Sequence, residues 1–594
     1  MLSSDNYLPM PFGNPTKSQK LQIHKINNFA VDLARTRVVN LRVTTCELFA
    51  LQKSTKTILD IRHIRTTCTM SSIFDFPTTT NTVLLGVAIV LGLAPFVLGK
   101  RDRQKKKKPW PSVDGALPIV GNLLQLKGSV NLVNRMEEWA EEYSKETGCF
   151  EVNLAGTRYV VICSEERMKE VLMKRPNKVI RHPKMAKAVR GVGADGVFVS
   201  EGSKWQADRR LVAPCFNHNQ IRDYLPHVKT VLNRLLHKWK QQAKVVNERG
   251  ETLPITINND IFAYTMDSTG LTVFGLDFDC LRTSGSVEAK DFLTLLGGVS
   301  VRALSPIPFW NIPFVGQYLD GLGWARQRLT NRMNEKIEEQ IRGEQQQSST
   351  TFIQKTIDYS LKDASFNRSH IVGNMLTIVF AATDSTMSTL MTAVQKLAED
   401  KTGLQQELLE EINQALPRDL SDVSLEDLQP EKLPKLKAFL YEVLRWYSPF
   451  PFMLLQANEA IPFCGTTLEK GTAIFTLLRY VSKNPHAPAK NIPLGPNGEP
   501  ATEYCPRRFW KRDNGGKVTA IIPPRNSTSY LAFGHGSRVC LGKSFSEETL
   551  TLTLATLIKT FEMKLAPNHA PIGRIKMLAE VPDIDVRVMF RERV

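Results

Sequence analysis

The stretch that decides the fold lies near the C-terminal end and reads Tyr530-Leu-Ala-Phe-Gly-His-Gly-Ser-Arg-Val-Cys-Leu-Gly-Lys-Ser544. Its three glycines, Gly534, Gly536 and Gly542, allow left-handed backbone dihedrals or a close approach of the main chain to something flat and bulky. A single cysteine, Cys540, stands at the end of this glycine-rich loop. The stretch therefore indicates a backbone shaped around a ligand, with a thiol beside it.

The segment that follows the loop decides what the thiol can do. Apolar periodicity from Phe545 to Phe561 predicts a helix that begins just after Cys540. Free amide N–H groups and the positive end of the helix dipole would favour the thiolate form. A fixed thiolate in an apolar setting is the ligand that pushes electron density onto a haem iron. A lone Cys-x-Gly would instead favour a buried structural cysteine in a glycine turn.

The spacing of six residue types, Phe533-Gly-x-Gly-x-Arg-x-Cys-x-Gly542, favours the functional interpretation. This string resembles the haem-binding loop of the cytochrome P-450 superfamily, with no departure at the six positions. The resemblance implies haem b as the cofactor, Cys540 as the axial iron ligand, and Phe533 packed beside the ring. It also implies that Arg538 pairs with a haem propionate. Arginine suits this partner because its planar fork binds a carboxylate bidentately.

Composition limits the classes of partner. The net charge is +18, from 77 basic and 59 acidic residues, and residues 1–110 supply +11 of it, from 17 basic and 6 acidic residues. Because this excess surrounds an apolar span, it favours a membrane surface rather than nucleic acid as the partner. Nine cysteines at irregular spacing, with no Cys-x-x-Cys, argue against a disulfide framework or a zinc site and favour a reducing compartment.

The N-terminal region predicts an anchor. Residues 1–75 form an extension with three interpretations: a transit peptide, a disordered tail, or residues before a native start at Met70, which we favour. Residues 76–99 carry no charge and are long enough to span a bilayer of about 30 Å. The basic, proline-rich linker 100–121 follows, so the positive-inside tendency keeps the rest of the chain in the cytosol. We expect a transmembrane helix in the endoplasmic reticulum membrane.

The body of the chain, 122–594, predicts one large catalytic domain that is mainly α with a small β portion. This matches the cytochrome P-450 fold that the haem loop implies. A hairpin is predicted at 149–153 and 159–163, followed by a helix at 164–174, and a small sheet at 461–479. Long helices are predicted at 221–242, 324–345, 369–400, 404–416 and 433–447.

Two pairs of residues at helical spacing acquire meaning from the resemblance. Glu442 and Arg445, at i and i+3, share a helix face, and in the superfamily such a pair forms a buried network with a third residue, here Arg508. Taken alone, the pair is equally typical of a solvated ion pair. Trp205 and Arg209, at i and i+4, resemble the residues of an early helix that reach a haem propionate; alone, they fit an amphipathic surface helix.

The middle of the predicted helix 369–400 combines small residues with an acid and an alcohol. Asp is a poor interior helix residue and Ser competes for backbone carbonyls, so this turn is locally inconsistent. It resembles the oxygen-binding groove of the superfamily, with Ala382 in place of a glycine and Ser385 in place of a threonine. The resemblance implies that Ser385 donates a hydrogen bond to oxygen and that Asp384 relays protons. The alternative is an acid on the exposed side of a packed helix.

The resemblance implies a haem-dependent monooxygenase that inserts one oxygen atom of O₂ into a lipophilic small molecule. Only 54 residues follow Cys540, too few for a flavin module, so we expect a separate NADPH-dependent flavoprotein reductase. One rival is a haem-thiolate isomerase or dehydratase that needs no reductase; such relatives tend to lack the acid–alcohol pair. The other is a haem-binding protein without turnover. The substrate itself is not specified, and sterols, fatty acids, terpenoids and xenobiotics fit equally.

Overall fold

The computed structural model describes most of the chain after residue 107. The described residues lie in one compact unit, Pro77–Val594. The predicted extension, the predicted anchor and most of the basic run lie outside them. Among the described residues, no helix is long and apolar enough to cross a membrane. The described residues are 108–126, 132–245, 252–283, 285–304, 310, 312, 321–343, 351–362, 366–484, 486, 492–522, 524, 528–576 and 579–593.

Helices form most of the described structure, which confirms the predicted mainly α fold. The long helices that the periodicity predicts are present, and their ends differ from the predicted ones by a few residues. The α-helices are α1 (Leu132–Tyr143), α2 (Glu165–Leu172), α3 (Pro183–Gly191), α4 (Gly202–Val212), α5 (His218–Gln242), α6 (Ile257–Phe274), α7 (Val287–Leu304), α8 (Leu322–Ile341), α9 (Phe352–Lys362), α10 (Arg368–Ala398), α11 (Leu404–Ala415), α12 (Pro434–Trp446), α13 (Leu478–Val481) and α14 (Lys543–Thr560).

The β portion consists of one five-stranded sheet and several small ones. The large sheet has the order β1-β2-β8-β5-β3, in which only β2 and β8 run parallel. The strands are β1 (Cys149–Leu154), β2 (Thr157–Ile162), β3 (Val179–Arg181), β4 (Ile255–Thr256), β5 (Phe452–Ala457), β6 (Ile461–Phe463), β7 (Thr466–Leu468), β8 (Ala473–Leu477), β9 (Trp510–Arg512), β10 (Val518–Ile521), β11 (Phe561–Leu565), β12 (Arg574–Lys576), β13 (Glu580–Pro582) and β14 (Arg587–Glu592).

The predicted sheet at 461–479 is only partly right. β6 and β7 form a separate two-stranded hairpin, whereas β8 joins the large sheet between β2 and β5. All five residues of β8 are buried, so this strand requires neighbours on both sides. Its last predicted residues, Leu478 and Arg479, belong instead to the short helix α13.

The long helix α10 runs through the core and positions the functional turn. It begins with a capping box in which the Asn367 side chain accepts from the His370 N–H. Residues 371–380 and 387–394 are buried. Between them, Ala381 is exposed and Ala382, Ser385 and Thr386 are half-buried, although the helix is enclosed on either side. Accessible residues in the middle of a buried helix indicate that this turn borders internal space.

A buried carboxylate joins α12 to the segment that precedes the Cys540 loop. The Glu442 oxygens accept from Arg445 Nε and Nη2, both at 2.7 Å, and from Arg508 Nε at 3.3 Å. The three residues are 0%, 2% and 1% exposed. The remaining arginine N–H groups donate to backbone carbonyls between 482 and 503. The network is therefore fully partnered, which is what buried charges require.

Replacing Glu442 by glutamine should lower the free energy of unfolding by about 3–5 kcal/mol, because it leaves two buried guanidinium groups without a counter-charge. The change in the denaturant midpoint measures this loss. The matched control is Glu138→Gln, which breaks the Arg135–Glu138 pair of the same i,i+3 spacing on the exposed face of α1. The control should change stability little, since exposed pairs are weak. Equal effects in both variants would contradict the structural role of Glu442.

Candidate functional site

The Cys540 loop is a tight turn held by its own backbone. The Cys540 N–H donates to the Phe533 carbonyl at 2.9 Å, which closes the loop into a ring. Gly534 and Gly536 have φ values of 73° and 72°, in the left-handed region that glycine adopts without strain. The helix α14 begins at Lys543, so Cys540 lies just before it. The loop thus presents the thiol on a fixed backbone, and the Cys540 side chain is exposed.

The protonation state of the Cys540 thiol depends on two opposing effects. Although Cys540 is accessible at its surface, the protein atoms packed around its sulfur raise the pKa of the thiol, and the Gly542 backbone N–H lowers it. Burial has the larger effect. The helix end therefore favours the thiolate, as expected, but its effect on the pKa is smaller than that of burial. A cation in contact with the sulfur would supply the missing stabilisation, because a thiol that coordinates a metal is deprotonated outright.

The residues Trp205, Arg209 and Arg538 meet beside this loop. The Arg538 guanidinium lies over the Trp205 ring at 4.3 Å from its centroid, and the Arg209 guanidinium lies at 5.7 Å from it. Arg209 Nη1 also donates to the carbonyl of Val539, next to the cysteine, at 3.5 Å. The fold therefore brings the α4 pair and the loop arginine together around one buried indole.

More arginines surround this cluster than the sequence motifs single out. Arg181 donates its backbone N–H to Glu201 Oε1 at 2.8 Å, and Arg538 forms an ion pair with the same carboxylate. Burial lowers the pKa of Arg538 to about 10, and the Glu201 carboxylate opposes this effect. The positive charges of Arg175 and Arg209 lower it further. Four arginines thus gather here, and Glu201 bonds to two of them, the Arg181 backbone N–H and the Arg538 guanidinium. No motif marks Arg175, Arg181 or Glu201.

The acid–alcohol turn of α10 lies where this helix borders internal space. Asp384 is buried, and Ser385 is half-buried with its hydroxyl donating to the Ala381 carbonyl at 2.7 Å. This bond closes one turn back along the helix, as is common for serine within helices. Phe380, one helical turn before Asp384, belongs to the large apolar cluster against which Leu541 of the cysteine loop also packs. The helix that carries the turn and the thiol loop therefore contact one common apolar cluster.

One backbone segment connects α10 to the cysteine loop. The Gly196 N–H donates to Thr377 Oγ1 at 3.1 Å and the Val197 N–H donates to Asn374 Oδ1 at 2.8 Å. The Val197 carbonyl accepts from Arg538 at 3.2 Å. A Cβ on Gly196 would lie 2.6 Å from Thr377 Oγ1, so only glycine permits this approach. The segment thus binds the long helix on one side and the loop arginine on the other.

Comparison with known proteins decides which family has this arrangement. Residues 111–578 match the cytochrome P450 family. The chain is a cytochrome P450. It is 25% identical over 497 residues to cytochrome P450 10 of Lymnaea stagnalis, which covers 82% of this chain and 86% of that protein. It is 24% identical over 524 residues to cytochrome P450 3A6 of Oryctolagus cuniculus, covering 86% and 97%.

The fold agrees with a solved structure of the family. A crystal structure of the cytochrome P450 CYP102L1 superposes with a TM-score of 0.65 at 19% sequence identity, covering 82% of this chain and all of that one. Cytochromes P450 carry a haem-thiolate cofactor and are typically monooxygenases. Their electrons generally come from a redox partner.

The residues of this P450 fit a haem. Arg538 Nε is buried and has no hydrogen-bond partner among the described residues, although its other nitrogens are bonded. The surplus of guanidinium groups over Glu201 matches a ligand that carries two carboxylates. The accessible Cys540 supplies the soft ligand that iron prefers, and the small residues Ala381 and Ala382 leave space on α10. Among the described residues, no group of three or more His, Cys, Asp or Glu side chains could hold a metal.

The Cys540 assignment makes a spectroscopic prediction. Thiolate ligation gives the carbon monoxide complex of ferrous haem a strongly red-shifted Soret band, which Cys540→Ser should abolish. The control is Cys464→Ser, which removes a half-buried thiol at the β6–β7 turn and should leave the band unchanged. A normal band in the Cys540 variant would overturn the assignment.

Proposed function

We propose that this P450 is a membrane-anchored monooxygenase that inserts one oxygen atom of O₂ into a lipophilic small molecule. Its electrons would come from a separate NADPH-dependent flavoprotein reductase. The observation that supports the proposal is the position of the Asp384–Ser385 turn on α10, a helix that shares an apolar cluster with Leu541 of the Cys540 loop. A protein that only binds haem needs the thiolate but has no use for an acid and an alcohol at this position.

The haem, when bound, supplies the activation of O₂ and the oxygen transfer. The protein residues hold this group and set its electronic character. Cys540 would ligate the iron, and Phe533, half-buried against the core, would shield the sulfur. Arg538, Arg209 and Trp205 would bind the carboxylates at one edge of the ring. These contacts fix the orientation of the cofactor relative to α10.

Proton supply would fall to Ser385 and Asp384. The Ser385 hydroxyl donates to Ala381 within the helix, and rotation about χ1 releases this bond and turns the hydroxyl towards a bound ligand. The exchange is inexpensive because an intramolecular hydrogen bond is worth only about 0.5–1.5 kcal/mol net. Asp384, the buried residue that precedes Ser385, would relay protons to the hydroxyl through water.

The lipophilic character of the substrate rests on apolar residues of β5 and α10. β5 begins with Phe452, Met453 and Leu454, each half-buried, and Phe450 precedes them. Phe380 packs edge-on to Phe292 of α7 at a centroid distance of 6.0 Å. These side chains are themselves uncharged, which favours substrates that leave water for an apolar pocket.

The reaction class is tested with purified protein, reductase and NADPH. We expect NADPH oxidation and oxygen consumption that depend on the reductase, and a product that carries ¹⁸O from ¹⁸O₂. Conversion of organic peroxides without NADPH, and no ¹⁸O incorporation, would instead support a haem-thiolate isomerase. Haem binding with neither activity against a broad lipophilic library would support a non-catalytic haem protein. Metabolite profiling of a deletion strain would then identify the substrate.

Substitutions of Asp384 and Ser385 should cause two different catalytic defects. Asp384→Asn should slow turnover, since a group that gains and loses a proton becomes one that does not; such catalysis typically contributes about 10²–10⁴-fold. Ser385→Ala should keep oxygen consumption but divert it to hydrogen peroxide. Ser385→Thr should lower the peroxide fraction below that of the natural protein, because the added methyl group restricts the hydroxyl. Peroxide and product formed per NADPH consumed, with reductase in excess, measure both effects.

The control for this turn is Ser388→Ala on the same helix. The Ser388 hydroxyl donates to the backbone carbonyl of Glu580, away from the turn, so its loss should leave the partition between peroxide and product unchanged. If neither Ser385 variant alters the partition, the alcohol acts only as a helix residue, and the proton role is refuted.

The membrane anchor is tested by deletion of residues 1–107. The truncated protein retains Lys108, which pairs with Glu151 of β1, and every residue of the haem site. It should bind haem as the full chain does and become extractable without detergent. Loss of haem incorporation would place part of the deleted segment in the catalytic domain, and an unchanged need for detergent would place the membrane contact elsewhere.

A further inference from the structure

Arg175 lies directly beneath the cysteine loop, in the connection between α2 and β3. Its carbonyl accepts from the Ser537 hydroxyl at 3.1 Å, and Ser537 stands next to Arg538 in the loop. Its N–H donates to the Leu172 carbonyl at 3.2 Å, at the end of α2. Arg175 is 7% exposed. Its backbone is therefore fixed against the loop that carries Cys540, and its side chain is enclosed.

The guanidinium group of Arg175 is incompletely bonded. Nη1 contacts the Met453 sulfur of β5 at 4.0 Å, which is a weak acceptor. Nε and Nη2 are buried and have no hydrogen-bond partner among the described residues. A buried donor without a partner costs about 1–3 kcal/mol, and more when the group is charged. Burial accordingly lowers the pKa of Arg175.

The unpaired edge is the one with which this chain binds carboxylates. Arg445 holds Glu442 through Nε and Nη2, both at 2.7 Å. The same two nitrogens join Arg328 to Asp291, at 2.8 and 2.5 Å, and Arg479 to Glu137, at 2.9 and 3.0 Å. Two parallel N–H groups at this spacing match the two oxygens of a carboxylate. Arg175 therefore presents a complete carboxylate-binding fork inside the protein.

The groups around Arg175 carry an excess of positive charge, which an anion would neutralise. Arg175 and Arg538 each lower the pKa of Arg181, after the larger effect of burial. Glu201 is the acid that opposes them, and it is already bonded to Arg181 and Arg538. Arg538 Nε, like the Arg175 fork, has no hydrogen-bond partner among the described residues. The arginine cluster therefore lacks negative charge on the side that faces the loop.

We propose that the Nε–Nη2 fork of Arg175 binds a carboxylate, and that this carboxylate is a haem propionate rather than part of the substrate. The inference rests on the haem of the proposed function. The propionate is favoured because Arg175 is bonded through Ser537 to the loop that holds the iron ligand. Arg175 is thus a positioning residue. Its charge also stabilises the reduced haem, since reduction adds an electron near a buried cation.

Haem transfer to excess apomyoglobin tests the contact, with protohaem and with its dimethyl ester, which has no carboxylate. With protohaem, Arg175→Met should raise the transfer rate about tenfold or more, the worth of hydrogen bonds to a charged group. With the ester, the same substitution should change the rate by less than about twofold. Arg175→Lys keeps the charge without the fork and should fall between the two. The control, Arg574→Met, removes a half-buried arginine on β12 and should affect neither haem.

A redox titration provides a second measurement. Arg175→Met should lower the haem reduction potential, whereas Arg175→Lys should leave it near that of the natural protein. A purely structural role would raise the transfer rate equally for protohaem and ester and leave the potential unchanged, and this result would overturn the proposal. So would unchanged protohaem transfer together with loss of the high-spin shift induced by dodecanoate, which would assign the fork to a substrate carboxylate.

Haem uptake by the natural protein distinguishes a failure of this inference from a failure of the proposed function on which it rests. If it takes up no haem, the proposed function fails. If it holds haem and the Arg175 variants behave like the control, only the Arg175 contact is refuted.

Discussion

The buried carboxylate of Glu442 is the interaction on which the rest of the catalytic fold depends. Through Arg445 and Arg508 it fixes the backbone carbonyl of Ser482 and several carbonyls of the described stretch 493–503, which forms no helix or strand. A chain segment without a helix or sheet ladder must satisfy its backbone groups by other means. Two guanidinium groups supply many donors in a small volume, and one carboxylate neutralises part of their charge. The arginines that hold this stretch thus share a single anion on α12.

This P450 has two arginine clusters, and they differ in whether every guanidinium group has a hydrogen-bond acceptor. Around Glu442 every guanidinium edge has an acceptor, so the cluster is complete within the protein. Around Glu201 the Arg175 fork and Arg538 Nε have no acceptor among the described residues. Since buried charges are stable only when partnered, an incomplete cluster identifies the place where a ligand completes it. Completeness of hydrogen bonding is therefore as informative as the residue types.

Local sequence patterns predicted the helices and the haem loop, but they did not predict contacts between residues distant in sequence. The helix α14 and the loop before it were predictable because periodicity and glycine spacing lie in consecutive residues. The place of β8 was not, since Tyr159 of β2 pairs with Ala473 of β8 across most of the domain. Arg175 gave no signal either: it follows Lys174 and precedes Pro176, and resembles an exposed basic residue. Contacts distant in sequence, with Ser537 of the cysteine loop and Met453 of β5, enclose it.

The segment 196–200 is bonded on one side to α10 and on the other to the loop arginine. Its amides are bound to Asn374 and Thr377 of α10, and its carbonyls are bound to Arg538. A molecule that shifts this segment on entering the apolar region must disturb the bonds to Arg538, and so alter the affinity for whatever Arg538 holds. By thermodynamic reciprocity, filling the arginine cluster must alter the affinity for that molecule by the same factor. For such a molecule, cofactor loading and substrate recognition would be linked equilibria.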